Sequence, residues 1–319
     1  MEKFFITGGQ GFIGAWMVRQ LLREGTAFVL VDLESNDDIL RQVLEPDQLG
    51  GLERKFGDVC DGAFVERAVG ESGATHVVHL AGLQIPTCRE NPALGARVNI
   101  IGTLNVFEAV RVHKDTIRSV VYASSGAVVG PAEDYPTTPI PDDAQHWPRT
   151  HYGIFKAANE GNARVYWQDH GVASVGLRPM AVYGVGREVG ITSGPTKAIR
   201  AAVRGEEFTV PFTGVSSFNY AEDIAADFIG CARRHKEGAL ALNNPGETHS
   251  IDEFLRLIEE EIPSSKGRLH CEGNEIPVAY DLGEKGLESI LGVVPHTPIA
   301  AGIRATAERF RVLGERGIS

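Results

Sequence analysis

The chain reads as an α/β protein: a doubly wound parallel sheet with a smaller C-terminal lobe closing over it. Three observations carry that reading. Gly8, Gly11 and Gly14 fall three apart, directly after a short apolar strand and at the opening of a helix. Short apolar runs alternate with longer amphipathic stretches through the first 178 residues. The unusual residues gather where those runs end.

The first strand, residues 4–7, runs into Thr7-Gly-Gly-Gln-Gly-Phe-Ile-Gly14, and a helix follows over 12–24. Each glycine has a task. Gly8 permits the tight turn out of the strand. Gly11 lets a pyrophosphate approach the backbone, and Gly14 lets the helix pack close to the sheet. The helix start at Phe12 and Ile13 then offers free N–H groups and the positive end of the helix dipole to the phosphates. A second strand, 28–32, ends at Asp32, 18 residues beyond Gly14, where an acid accepts hydrogen bonds from an adenosine ribose. With no Arg or Lys beside Asp32, the cofactor expected is NAD rather than NADP.

Further strands are predicted at 76–81, 119–124 and 174–178, with helices at 92–113 and 151–170. Short buried strands alternating with helices imply a parallel sheet covered on both faces. Right-handed crossovers make it doubly wound. Ligands in such Rossmann-type sheets bind beyond the carboxyl ends of the strands. Those ends carry residues 8–14, Asp32, Asp58, Ala81-Gly82, Ser124-Ser125 and Pro179. The NAD-binding domain is thus placed at residues 1–178 and the substrate lobe mainly at 179–319, with some elements of the lobe returning to the sheet. In the lobe, residues 183–194 are glycine-rich. Helices are predicted at 196–204, 222–235, 251–261 and 298–313, with a short strand at 208–212.

The net charge of −11 argues against nonspecific binding to nucleic acid or an anionic membrane. No apolar run approaches the roughly 20 residues that span a bilayer, and the first strand begins at once, which leaves no room for a signal peptide. Cys60, Cys88, Cys231 and Cys271 lack C-x-x-C spacing and read as reduced thiols of a cytoplasmic protein. The ten histidines show no metal-binding spacing, so no metal is expected. Ser124-Ser125 and His79 lack the G-x-S-x-G elbow of a hydrolase.

The chemistry lies in Tyr152-Gly-Ile-Phe-Lys156. Positions i and i+4 share a helix face, so the phenol and the ammonium project together. A phenol near pKa 10 is a poor base at neutral pH, and a nearby ammonium favours its charged form. A hydroxyl from Ser125 can hold the substrate oxygen from the other side. The three make a proton relay beside a hydride carrier.

With these motifs the chain resembles the extended short-chain dehydrogenase/reductases, which include sugar epimerases and dehydratases. The resemblance covers most of the chain. It rests on residues 7–14, Asp32, Gly57-Asp58-Val59, His79-Leu80-Ala81-Gly82, Asn99, Ser124-Ser125-Gly-Ala-Val-Val-Gly130, Tyr152/Lys156, Leu177-Arg178-Pro179 with Val182-Tyr183-Gly184, and Tyr220-Ala-Glu-Asp223. The resemblance implies that Asp58 and Val59 meet the adenine and that Leu80, Ala81 and Gly82 line the cofactor path. It implies that Lys156 also bonds the nicotinamide ribose, that Pro179 to Val182 border the nicotinamide, and that Asn99 sits in the helix beneath the site.

Departures from the family pattern narrow the function. Sugar-nucleotide dehydratases keep an Asp-Glu pair after the active-site hydroxyl; here Gly126-Ala127 stands there, which argues against elimination of water. The Arg that binds a sugar-nucleotide diphosphate is missing from residues 216–219, and Pro179-Met180-Ala181 replaces a common Asn after the sixth strand. Arg187, Lys197, Arg200 and Arg204 are candidate replacement cations. Gln84, Gly126, Arg187 and Tyr220 are the candidate substrate contacts, with Tyr220 facing either the lobe interior or the substrate. The function expected is NAD-dependent oxidoreduction at a carbinol carbon of a sugar or sugar derivative, with a sugar or nucleotide-sugar epimerase placed first. The alternatives are an NAD-dependent dehydrogenase of a free sugar, sugar acid or lactone, and a non-catalytic NAD-binding protein of the same fold. A homodimer is expected, because the helices at 92–113 and 151–170 carry more apolar residues than one sheet face covers and the family commonly pairs them.

Overall fold

A computed structural model describes residues 1–318. Strand β1 (Lys3–Thr7) leads through the glycine turn into α1 (Phe12–Glu24), followed by β2 (Ala27–Asp32), α2 (Asp38–Val43), β3 (Arg54–Phe56), α3 (Gly62–Ser72) and β4 (His76–His79). Next come α4 (Ile85–Glu90), α5 (Pro92–Ala96), α6 (Gly102–Val112), β5 (Val120–Ala123), α7 (His151–His170) and β6 (Ser174–Pro179). The C-terminal part holds β7 (Ala181–Tyr183), α8 (Gly194–Arg204), β8 (Phe208–Val210), β9 (Val215–Tyr220) and α9 (Ala221–Arg234). It continues with β10 (Ala239–Asn244), β11 (Glu247–Ser250), α10 (Ile251–Glu261), β12 (Leu269–Cys271), α11 (Lys285–Leu291) and α12 (Ile299–Glu315).

Seven parallel strands form the sheet in the order β10-β6-β5-β4-β1-β2-β3. Alternation along β1 divides the core. Phe4 and Ile6 point into the cluster that holds Trp16, Phe228 and the lobe aromatics Tyr183 and Phe254. Phe5 points to the opposite face with Val65, Phe107 and Val110. The order of strands reverses between β1 and β4, and that switch point opens the cleft used below.

Three features differ from the sequence expectation. The sheet gains β3, a polar three-residue edge strand too short to show a period. It also gains β10, a strand not marked by the sequence pattern, which pairs with β6 from Ala239↔Ser174 to Asn244↔Pro179. The helix expected over 92–113 is α5, a π-helical turn at Arg97–Ile101 and α6. The π-turn centres on buried Asn99. Beyond the sheet, β11-β9-β7 and the pair β12-β8 make the framework of the lobe. Among the described residues, no helix is long and apolar enough to cross a membrane.

Candidate active site

The glycine turn is closed by backbone contact. Gly8 has φ +67°, and a Cβ there would lie 2.7 Å from the Ala81 nitrogen; one at Gly14 would lie 2.6 Å from the Gly8 carbonyl. Helix α1 begins at Gly11 with no side-chain cap and no acid in its first turn. Its first N–H groups, at Phe12 and Ile13, therefore remain available to an anion. At the end of β2, the Asp32 carboxylate accepts from Gln10 N at 3.2 Å and Leu33 N at 2.9 Å, which fixes its direction. Exposed Asp58 accepts from Cys60 N at 2.8 Å, and Val59 is buried against Gly102. An uncapped helix start, a glycine cradle that a Cβ would fill and a fixed carboxylate at the neighbouring strand end are the donor and acceptor set a dinucleotide needs, so these residues fit NAD.

Across the switch point, Leu80 N donates to Thr7 O at 3.0 Å, and Ala81 N lies 3.4 Å from Thr7 Oγ1. A Cβ on Gly82 would come within 2.6 Å of Asn99 Oδ1 and 3.7 Å of Lys156 Nζ. Asn99 holds both backbone groups of Leu83 at 3.1 Å, and its own carbonyl accepts from Thr103 Oγ1 and Asn159 Nδ2. Beneath lies His79, bridging Thr7 Oγ1 at 2.6 Å and Thr103 Oγ1 at 3.0 Å. Burial and the charge of Lys156 push its pKa down to about 3, so this imidazole is neutral.

Helix α7 is capped by Thr150, whose hydroxyl accepts from Gly153 N at 3.0 Å. A Cβ on Gly153 would collide with Ala127 O, so the helix start presses onto the turn after Ser125. That close approach brings Tyr152 beside Ser125. Lys156 Nζ lies 5.4 Å from the Tyr152 ring centroid and donates to Ala123 O at 2.6 Å. Burial raises the Tyr152 pKa, while the Ser125 hydroxyl and then the Arg187 charge pull it back. Burial also lowers Lys156 to about 8. One turn further on, buried Glu160 is held by Arg178 in a two-pronged ion pair at 2.9 and 2.7 Å and accepts from Ser124 Oγ.

Pro179 and Val182 are buried at the end of β6 and in β7. Gly126 carries no side chain, and the Met180 sulfur lies over the space a Cβ would take. Tyr220 packs in the core, 5.5 Å from Trp16 and 5.6 Å from Tyr183 between ring centroids. Asn219 is engaged by Met180 N and Asn244 O. Arg200 is paired with Glu188 at 2.7 Å, and Arg204 is exposed. Arg187 turns inward toward Phe12 and Tyr152, next to Gln84 and Gly190. Sequence reasoning missed Thr192, a loop threonine with no pattern to mark it, and did not foresee Met180 over Gly126. Among the described residues no group of three or more His, Cys, Asp or Glu is placed to hold a metal ion.

A Rossmann-type sheet with this glycine turn and a Ser, Tyr and Lys at the adjoining strand ends defines an extended short-chain dehydrogenase/reductase. The chain belongs to the NAD dependent epimerase/dehydratase family, whose model matches residues 4–241. NAD is its cofactor, and it is an enzyme of that type. It is 25% identical to UDP-glucuronic acid decarboxylase 1 of Xenopus tropicalis over 97% of this chain and 72% of that protein. It is 31% identical to bifunctional UDP-glucose 4-epimerase and UDP-xylose 4-epimerase 1 of Pisum sativum, over 42% of this chain and 40% of that one. UDP-glucose 4-epimerase of Thermus thermophilus, solved in complex with NAD, superposes with a TM-score of 0.80 at 27% identity, covering 97% of this chain and 99% of the other.

Proposed function

We propose that the chain is an NAD-dependent sugar epimerase in which Tyr152 is the acid–base group. The observation that supports it most is Tyr152 beside Ser125, with Lys156 Nζ 5.4 Å from its ring, at the strand ends facing the glycine turn. Gly8, Gly11, Phe12, Ile13, Gly14 and Asp32 would hold the pyrophosphate and adenosine ribose, with Asp58, Val59, Leu80, Ala81 and Gly82 along the cofactor path. When bound, NAD supplies the two-electron acceptor and donor for the carbinol carbon. Tyr152 takes the hydroxyl proton. Ser125 donates to the same oxygen and orients it, and Lys156 favours the phenolate by its charge. After the ketone has turned in the cleft, Tyr152 returns the proton. Elimination of water is not part of this chemistry, because Gly126-Ala127 supply neither acid nor base next to Ser125.

A second reading, dehydrogenation of a free sugar, sugar acid or lactone, has its own support: Asn219 is occupied by backbone partners, and residues 216–219 hold no cation for a diphosphate. Incubating enzyme and NAD with UDP- or dTDP-sugars, and separately with aldoses, sugar acids and lactones, tests both. Inversion seen by NMR without NADH release supports the epimerase, and NADH formation from the unactivated panel supports the dehydrogenase. Bound NAD with no turnover on either panel defeats both and leaves a non-catalytic protein.

The same proposal includes a homodimer in the cytoplasm. Leu94, Ile101, Val112, Ile154 and Val165 are exposed on the segment from α5 to α6 and on α7, an apolar surface that a second copy would cover. Val106 and Phe155 belong to the core instead. The four cysteines are unpaired, as suits a reducing compartment. A light-scattering mass of one chain at micromolar concentration would remove the dimer.

A further inference from the structure

Among the described residues, Arg187 lacks the carboxylate partner that holds several other arginines of the chain. Arg178, Arg200, Arg233 and Arg309 each sit against a carboxylate. Among the described residues, the single hydrogen bond of the Arg187 side chain runs from Nη2 to the neutral Thr192 Oγ1 at 3.1 Å. Its Nε is sealed from solvent and has no partner there. The guanidinium lies 5.6 Å from the Phe12 ring centroid, a contact with the aromatic ring. An unpaired guanidinium charge in such a place is costly, and a ligand anion relieves it.

The backbone is built to hold this cation inward. Gly184, Gly186 and Gly190 bracket it at φ +136°, +94° and +103°, and Arg187 N donates to Gly184 O at 3.2 Å. A Cβ on Gly190 would sit 3.1 Å from Arg187 Nη2 and would collide with Gln84 Oε1. Any side chain there would displace the guanidinium or the amide beside it.

We propose that Arg187 anchors a carboxylate carried by the substrate next to the reacting carbinol, so that the substrate is a sugar acid or smaller hydroxy acid without a nucleotide. This deepens the reading above and rests on Tyr152 being at the reacting oxygen. Two features favour a carboxylate over a diphosphate. Phe12 at the glycine turn and Gln84 just past the end of β4 flank the guanidinium, which puts its anion in the cleft at the strand ends, and its charge acts on Tyr152. A lone planar guanidinium matches one carboxylate, whereas a diphosphate calls for a second cation, and Arg200 is neutralised by Glu188. The cofactor pyrophosphate has its own donors at the uncapped start of α1.

The test is calorimetric binding to the NAD-loaded protein. The probes are galacturonate, gluconate and 3-hydroxybutyrate, each beside a neutral partner: galactose, sorbitol and 2-butanol. At least one acid should bind about tenfold or more tightly than its partner. Arg187→Met should bring the pair within about twofold, and Arg187→Lys should keep part of the preference. NAD affinity, titrated separately, should stay within about twofold in both variants. Equal binding of acids and neutral partners by the unaltered protein overturns the proposal, whether or not the variants fold. So does an acid preference that survives Arg187→Met, or a tenfold loss of NAD affinity in that variant, which would assign the arginine to the cofactor. The preference should also persist in Tyr152→Phe. If the unaltered protein shows the preference yet turns over no panel compound, the catalytic reading fails and the anchor stands.

Discussion

Replacing Glu160 by Gln tests how the fold holds the site. Glu160 and Arg178 are almost wholly buried, with side chains 4% and 3% exposed. They meet through two bonds of 2.9 and 2.7 Å, and Glu160 also faces His146 Nε2 at 3.1 Å and Ser124 Oγ. Burial works to raise the carboxyl pKa; the hydrogen bonds and charge of Arg178, with those of His146 and Ser124, overcome it and bring it to about 2. A carboxyl moved there from about 4.5 carries about 3 kcal/mol of preference for its charged form. Because the folded-state pKa is depressed, that stabilisation is present above about pH 4.5 and is lost as pH falls toward 2. Glu160→Gln keeps the shape and removes the charge, leaving the buried Arg178 cation without its directly bonded counterion and with only the charge of Asp142 beside it. Breaking a buried pair in this way costs about 3–5 kcal/mol. Urea denaturation at pH 7 should show a loss of that size, and the gap to the unaltered protein should narrow at pH 3. Adding Arg178→Met should recover part of it. A loss under about 1 kcal/mol at pH 7, or a gap that does not narrow in acid, would refute the reasoning.

Three further outcomes are expected. Tyr152→Phe should lower turnover by about 10²–10⁴-fold while leaving NAD affinity nearly intact, since only the acidic hydroxyl is lost; activity within threefold would remove Tyr152 from its role. NAD should bind at least about tenfold more tightly than NADP, because Asp32 is fixed toward the ribose by Gln10 N and Leu33 N and would face the extra phosphate as a like charge; equal affinity in a fluorescence titration would contradict this. Asp227 has one oxygen bonded to Asn244 Nδ2 at 2.8 Å and one unpartnered, and burial pushes its pKa up to about 8 despite that bond, with Asp223 and Glu284 adding to the rise. The native state then keeps a proton the unfolded chain has lost, so this group makes stability fall between about pH 4 and 8, by about 1.4 kcal/mol per pH unit at most. Asp227→Asn should flatten that slope, and an unchanged slope in denaturation midpoints across the window would count against it.

What the sequence made legible is what local pattern carries. The strand, glycine turn and helix from Lys3 to Glu24 are set by spacing and by the missing Cβ atoms. Tyr152 and Lys156 share a helix face for the same local reason, and Glu160 continues that face by one more turn, a signal available and unread. Its partner Arg178 lies 18 residues on in another element, and no periodicity links the two. Strand β10 is equally non-local. Residues 239–244 alternate only weakly, and what selects them is the open edge of β6, which they meet over six residues. The cations show the limit most clearly. Helical spacing favours Lys197, Arg200 and Arg204 as a basic face, whereas Arg187 stands in a glycine-rich stretch with no period at all. Folding separates the four candidates. Glu188 neutralises Arg200, and positive-φ glycines bend the chain so that Arg187 points inward. A charge matters to a cleft through the partner it lacks there, and lack of a partner is decided only when distant segments such as Gln84 and Thr192 arrive around it.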